Sequence, residues 1–137
     1  TAQDKAISNA LFEKVKPFMQ YVGRAMSLSK AQCQILEDLV MIYPTYQRLM
    51  SMNDLEVMRK MELAQEFRPL LPSLMTLDER FDGNGPMKMK GAKIPVLSRI
   101  LSVLLAIAKD NGRPLLHDRD RFDPEIVALI ADVQEAA

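Results

Sequence analysis

Ile94-Pro95-Val96-Leu97-Ser98-Arg99-Ile100-Leu101-Ser102-Val103-Leu104-Leu105-Ala106-Ile107-Ala108 is the stretch on which the fold turns. Its apolar residues recur at helical steps and leave almost no polar face, the pattern of a helix buried nearly all round. Pro95 stands where a helix accepts proline, near its first turn, because the N–H it lacks has no helical partner there. Asp110-Asn111-Gly112 follows and offers Gly112 for the left-handed residue that closes a helix. Ser98, Arg99 and Ser102 interrupt the run, which is also shorter than the roughly 20 apolar residues a bilayer requires. The segment predicts the central helix of a bundle.

The flanks repeat the helical signal. Downstream, Asp123-Pro124 pairs an N-cap with a proline at the first helical position, and Ile126, Val127, Ile130 and Val133 form the stripe of a last helix. Upstream, Asp82-Gly83-Asn84-Gly85-Pro86 is the strongest loop signal in the chain. Pro69 and Pro72 break residues 67–77 into short helical turns. Leu55, Met58, Met61 and Ala64, behind the cap Ser51-Met52-Asn53-Asp54, predict a third helix. Ile35, Leu36, Leu39, Val40 and Ile42 predict a second, capped at Ser27-Leu28-Ser29 and ended by Pro44 at or before Tyr43. Ala6, Ala10, Leu11, Val15, Phe18, Met19 and Val22 predict a first, kinked or split at Pro17. No alternating β-branched run interrupts them. The fold class is all-α: a single helical bundle of about six helices, one domain over 1–137.

Composition narrows the chemistry. The chain has 137 residues, enough for one domain with a real core. Lys and Arg number 18 and so do Asp and Glu, so there is no electrostatic case for nucleic acid or an anionic membrane. With one cysteine, Cys33, no disulfide framework exists within the chain, and a reducing, cytoplasmic setting is expected. The chain opens Thr1-Ala2-Gln3-Asp4 without a start Met or a basic-then-apolar leader, which reads as a piece of a longer protein with no signal peptide. His117 is the single histidine, and most imidazole-based chemistry needs more than one.

The chemically suggestive residues are few. His117-Asp118 resembles half of a metal site but lies in a loop with no further histidines, and reads as surface. Asp118, Asp120 and Asp123 are interleaved with Arg119 and Arg121 and lack the Gly and Glu of a calcium loop, so Asp123 reads as a helix cap. Cys33 reads as a small side chain on or near the core. Ten methionines are many; core filling explains most of them as well as an adaptable surface does, but Met87 and Met89 flank a loop and are harder to place inside. Lys88, Lys90 and Lys93 make a small basic patch beside that loop, without phosphate-loop spacing.

At Glu79-Arg80-Phe81-Asp82-Gly83-Asn84-Gly85-Pro86 the chain resembles the HD-GYP domain, the bacterial family that hydrolyses cyclic di-GMP. That family's signature there runs His-His-Glu-x-x-Asp-Gly-x-Gly-Tyr-Pro. Lys90-Gly91-Ala92-Lys93-Ile94-Pro95, Ser98-Arg99-Ile100-Leu101-Ser102-Val103 and Phe122-Asp123-Pro124-Glu125-Ile126-Val127 are similar to the segments that follow, in the same order. The resemblance covers the C-terminal half; the N-terminal half matches mainly in its helix pattern.

The departures fall on the family's chemistry. Its His-His pair falls on Leu77 and Asp78, and its Tyr is missing between Gly85 and Pro86. Its His-Asp dyad falls on Tyr43-Pro44 and the following Lys on Gln47. Its other histidines fall near Leu11 and Met61, and the metal-binding Asp of the central helix on Leu105. Unpaired polar groups left in a half-dismantled pocket cost about 1–3 kcal/mol each, whereas burying a Leu or Met contributes roughly 1.5–3 kcal/mol. The centre is therefore expected to be filled with hydrocarbon.

The resemblance thus implies a catalytically inactive, HD-GYP-like regulatory output module of bacterial two-component or cyclic di-GMP signalling, with no metal and no cofactor. Its expected partners are proteins: other domains of the parent chain, a diguanylate cyclase domain, or a second copy. Its expected interaction surface is the loop with Glu79, Asp82, Gly83, Asn84, Gly85, Pro86, Met87 and Met89. Two alternatives stay open. One is non-hydrolytic binding of cyclic di-GMP or another nucleotide, with Lys90 and Arg99 as phosphate contacts; the other is a residual metal phosphodiesterase around Glu79, Asp82 and His117.

Overall fold

The apolar ring of residues 94–108 does become the centre of the molecule. The computed structural model describes residues 2–52, 56, 59–60, 65 and 67–136. Among these the α-helices are α1 (Ala2–Ala25), α2 (Lys30–Met52), α3 (Leu71–Met75), α4 (Val96–Ala108), α5 (Arg113–His117) and α6 (Pro124–Ala136), with single 3-10 turns at Gly91–Lys93, Asp110–Gly112 and Arg119–Arg121. The fold class expected from the sequence, all-α, is what the described residues form. Their one paired piece of extended backbone is an isolated antiparallel bridge between Asp82 and Lys90. No described helix is long and apolar enough to cross a membrane.

Helix α4 buries Leu97, Ile100, Leu101, Val103, Leu104, Ala106 and Ile107. It packs against α1, α2, α3 and α6, and α1 in turn lies against α2 and α6. Val15, Met19 and Val22 of α1, Leu36, Leu39 and Val40 of α2, and Ile126 and Ile130 of α6 complete one core around it.

Local chemistry sets the helix starts. The Ser29 hydroxyl accepts from the Gln32 N–H at 3.1 Å while Gln32 Oε1 accepts from the Ser29 N–H at 2.9 Å, a reciprocal capping box opening α2. Asp123 Oδ1 accepts from the Glu125 N–H at 2.9 Å and caps α6, with Pro124 at its first position.

Pro17 does not split its helix, and Pro44 does not end its own. Helix α1 runs unbroken through Pro17, and α2 runs through Pro44 to Met52. A proline inside a helix costs about 3 kcal/mol, but each well-buried Val, Leu or Met returns roughly 1.5–3 kcal/mol. Val15, Met19 and Val22 bracket exposed Pro17, and Leu36, Leu39 and Val40 anchor α2 before Pro44, so packing outweighs the lost hydrogen bond.

Other boundaries shift by a few residues. Ser51 and Met52 end α2 instead of capping a new helix, and the Ser51 hydroxyl donates back to the Arg48 carbonyl at 2.8 Å. The expected third helix rests on Leu55, Met58, Met61 and Ala64, which lie outside the described residues. Helix α4 closes on Lys109, and Gly112, with φ of 83°, opens α5. His117 is the last residue of α5, not a loop residue, and it is exposed as expected.

Candidate functional site

The loop at 79–93 is built from the inside out. Glu79 is buried beneath it, and its carboxylate accepts two backbone N–H groups, from Met87 at 2.8 Å on Oε2 and from Met89 at 2.9 Å on Oε1. Gly85 crosses the start of the same loop so closely that a Cβ there would stand 2.7 Å from the Arg80 nitrogen and 2.8 Å from Glu79 Cα. Both are backbone atoms, so only glycine permits this crossing. Gly83, with φ of 84°, lets the chain turn over the aliphatic stem of Lys90. Asp82 Oδ1 accepts from the Asn84 N–H at 2.9 Å, which fixes the turn from its own side.

A second segment, 118–122, holds the loop from outside. The Phe81 N–H donates to the Arg121 carbonyl at 2.9 Å, and the Asp82 N–H to the Asp120 carbonyl at 3.1 Å. Arg80 spans the join, with Nη1 and Nη2 on the two Asp118 oxygens at 2.9 and 2.8 Å and Nε on Asp82 at 3.3 Å. Such a fork is directional as well as charged. The Asn84 N–H and then Arg80 hold the Asp82 carboxyl below the usual range; Arg80 does the same for Asp118, and the two acids hold the guanidinium more firmly protonated.

The sequence candidates therefore have different roles. Glu79 and Gly85 are buried supports, and Asp82 belongs to the Arg80 network. Asn84, Pro86 and Met87 face solvent, Met87 at 51% exposure, beside exposed Lys88, Lys90 and Lys93; Met89 is half-buried. Arg99 donates from Nε to the Ile94 carbonyl at 2.9 Å and from Nη1 to Asp123 at 2.7 Å, tying the start of α4 to the cap of α6. Arg99 lines a cavity of only about 10 Å³ that Lys90 does not reach, so the two phosphate candidates do not share one. Cys33 is half-buried on α2, its thiol 4.0 Å from the Leu28 carbonyl.

The positions on which the resemblance placed that family's ligands also meet. Leu11, Tyr43, Pro44, Gln47, Leu77 and Leu105, from α1, α2, α4 and the stretch after α3, line one cleft of about 440 Å³; Met61 lies outside the described residues. The expectation of a hydrocarbon plug is corrected here. The leucines wall the cleft without closing it, because each comes from a separate segment at the edge of the core and Leu11 and Leu105 are only half-buried.

The polar groups at that cleft are the Tyr43 hydroxyl, Gln47, Asp78, Ser102, Lys109 and Arg121. Burial pushes the Tyr43 hydroxyl above its usual pKa, the Asp78 charge adds to this, and Arg121 opposes it. No group of three or more His, Cys, Asp and Glu that could hold a metal forms among the described residues. A cleft with one carboxylate, two cationic side chains and leucine walls does not fit the hard-cation or imidazole donor sets of a catalytic metal. Glu79, Asp82 and His117 do not converge either: Glu79 serves backbone N–H groups, Asp82 serves Arg80, and His117 is exposed at the end of α5.

Two contributors had no clear signal in the sequence. Arg80 lies inside the quoted motif, but its partner Asp118 is 38 residues away. Arg121 reads as a neutraliser of neighbouring acids, yet no side-chain hydrogen bond or ion pair engages its guanidinium among the described residues, and it rests on the Phe122 ring at 5.6 Å. The chain matches no protein-family model, no curated protein and no solved structure.

Proposed function

We propose that this chain is a non-catalytic, HD-GYP-like regulatory domain that works by docking a protein partner on the loop at 82–93. One observation carries the reading. A buried carboxylate, a glycine crossing and an arginine fork fix the loop, while the Met87 side chain stays 51% exposed among Lys88, Lys90 and Lys93. A fixed loop loses little entropy on binding, and an exposed, adaptable thioether ringed by cations suits a partner with an apolar pocket and an acidic rim. The motif order in the C-terminal half supports the family reading, as does the meeting of Leu11, Tyr43, Pro44, Gln47, Leu77 and Leu105 at one cleft. The leucines and the lone carboxylate there support the absence of catalysis.

The test compares wild type with a Met87→Ser, Lys88→Glu double variant. Binding to receiver and diguanylate cyclase domains is read by calorimetry and self-association by light scattering. Loss of an interaction in the variant, with an unchanged melting temperature, is the expected result. An interaction that survives the substitutions removes the loop from the reading. Turnover of cyclic di-GMP with manganese or iron by the purified chain overturns the non-catalytic part.

A further inference from the structure

The cleft walled by α1, α2 and α4 is a different surface from the loop tip, and its chemistry points to a different occupant. Its volume of about 440 Å³ lies within the roughly 300–1,000 Å³ typical of small-molecule sites. Leu11, Leu105 and Phe122 give it apolar walls. The charges around it are unequal: Lys109 and Arg121 against Asp78. Arg121 is the distinctive member. Its Nε is buried without a hydrogen-bond partner, no ion pair among the described residues engages its head group, and its Cζ lies over the Phe122 ring, 5.6 Å from the centroid. A buried donor without an acceptor is unfavourable until one arrives. A planar guanidinium backed by an aromatic ring is pre-set for a bidentate oxyanion.

We propose that this cleft binds a small organic anion with an apolar body, its carboxylate or sulfonate held by Arg121 and its skeleton against Leu11, Leu105 and Phe122. A divalent metal is disfavoured by the two cations. A purely apolar ligand leaves Arg121 unpaired. The site would let the domain sense a metabolite while the loop tip engages a protein, and it does not depend on that docking.

Anilinonaphthalene sulfonate is a suitable probe, because phenylnaphthylamine supplies the same skeleton without the acid. The sulfonate is expected to bind saturably, one per chain, with amide shifts in a heteronuclear NMR titration centred on Leu11, Tyr43, Leu105 and Arg121. The neutral analogue is expected to bind about tenfold to a hundredfold more weakly, and Arg121→Gln to weaken the sulfonate by a similar factor. Ala108→Phe, which fills the cleft, should abolish binding. Met87→Ser should leave it unchanged, so failure here is separate from failure of the docking reading. Equal affinity for the two probes, unchanged binding in Arg121→Gln, or shifts centred elsewhere overturns the proposal. If a variant does not fold, the wild-type shift map and the probe pair decide alone.

Discussion

Glu79 shows how one side chain can set the shape of a functional surface without belonging to it. Its two carboxylate oxygens receive the N–H groups of Met87 and Met89, eight and ten residues further on, and so fix where Met87 emerges. Glu79→Gln keeps the shape but has only one carbonyl oxygen. One of the two N–H groups must then face an NH₂ donor. The expected loss is about 1.5–3 kcal/mol, the range for hydrogen bonds to a charged acceptor. Urea unfolding of the pair measures it, with the m-value unchanged. A loss under about half a kcal/mol would show that the loop holds its shape by other means. The motif marks Glu79 but not this role. A glutamate in a loop reads as exposed, and nothing local shows that its own chain folds back over it. Asp123 is the contrast: its role as a cap uses the Glu125 N–H two residues away, and Asp-Pro announces it.

Elements were legible where the governing interactions are local and misread where packing overrides them. The cap at Ser29, the turns over 67–77 and the apolar ring of α4 all follow from short-range pattern. Pro17 and Pro44 look like breaks because the helix hydrogen bond they forfeit is local, whereas the burial that keeps α1 and α2 continuous comes from other helices. Helix α1 should therefore be straining against Pro17. Pro17→Ala restores a donor for the Glu13 carbonyl on an exposed face. It is expected to stabilise the protein by about 1–2 kcal/mol, less than the full helix-interior penalty because proline also restricts the unfolded chain. Thermal and urea unfolding read the gain directly. A destabilisation would mean that α1 requires a bend at Pro17 for its packing on α4.

At the scale of the molecule, the loop and the cleft share their supports. The segment 118–122 receives the loop through Phe81, Asp82 and Arg80, and its Arg121 and Phe122 also wall the cleft. The resemblance assigned Leu11, Tyr43, Pro44, Gln47, Leu77 and Leu105 to one site, and these residues line one cleft. Its openness was not legible, because volume depends on how far each leucine reaches from its own helix. The junction has a definite pH signature. Asp82 and Asp118 titrate below the usual range in the folded chain. Depressed carboxyls add stability at pH values above their unfolded pKa of about 3.9, and that addition fades as pH falls through the lower folded values. Arg80→Met removes the partner common to both. The variant is expected to be less stable than wild type from neutral pH down to about pH 4, with the gap narrowing below that point. Amide exchange at Phe81 and Asp82 should rise in the variant at neutral pH, since those N–H groups close the junction. A stability gap that persists undiminished at pH 2 would show that Arg80 acts through packing of its stem and not through the two carboxylates.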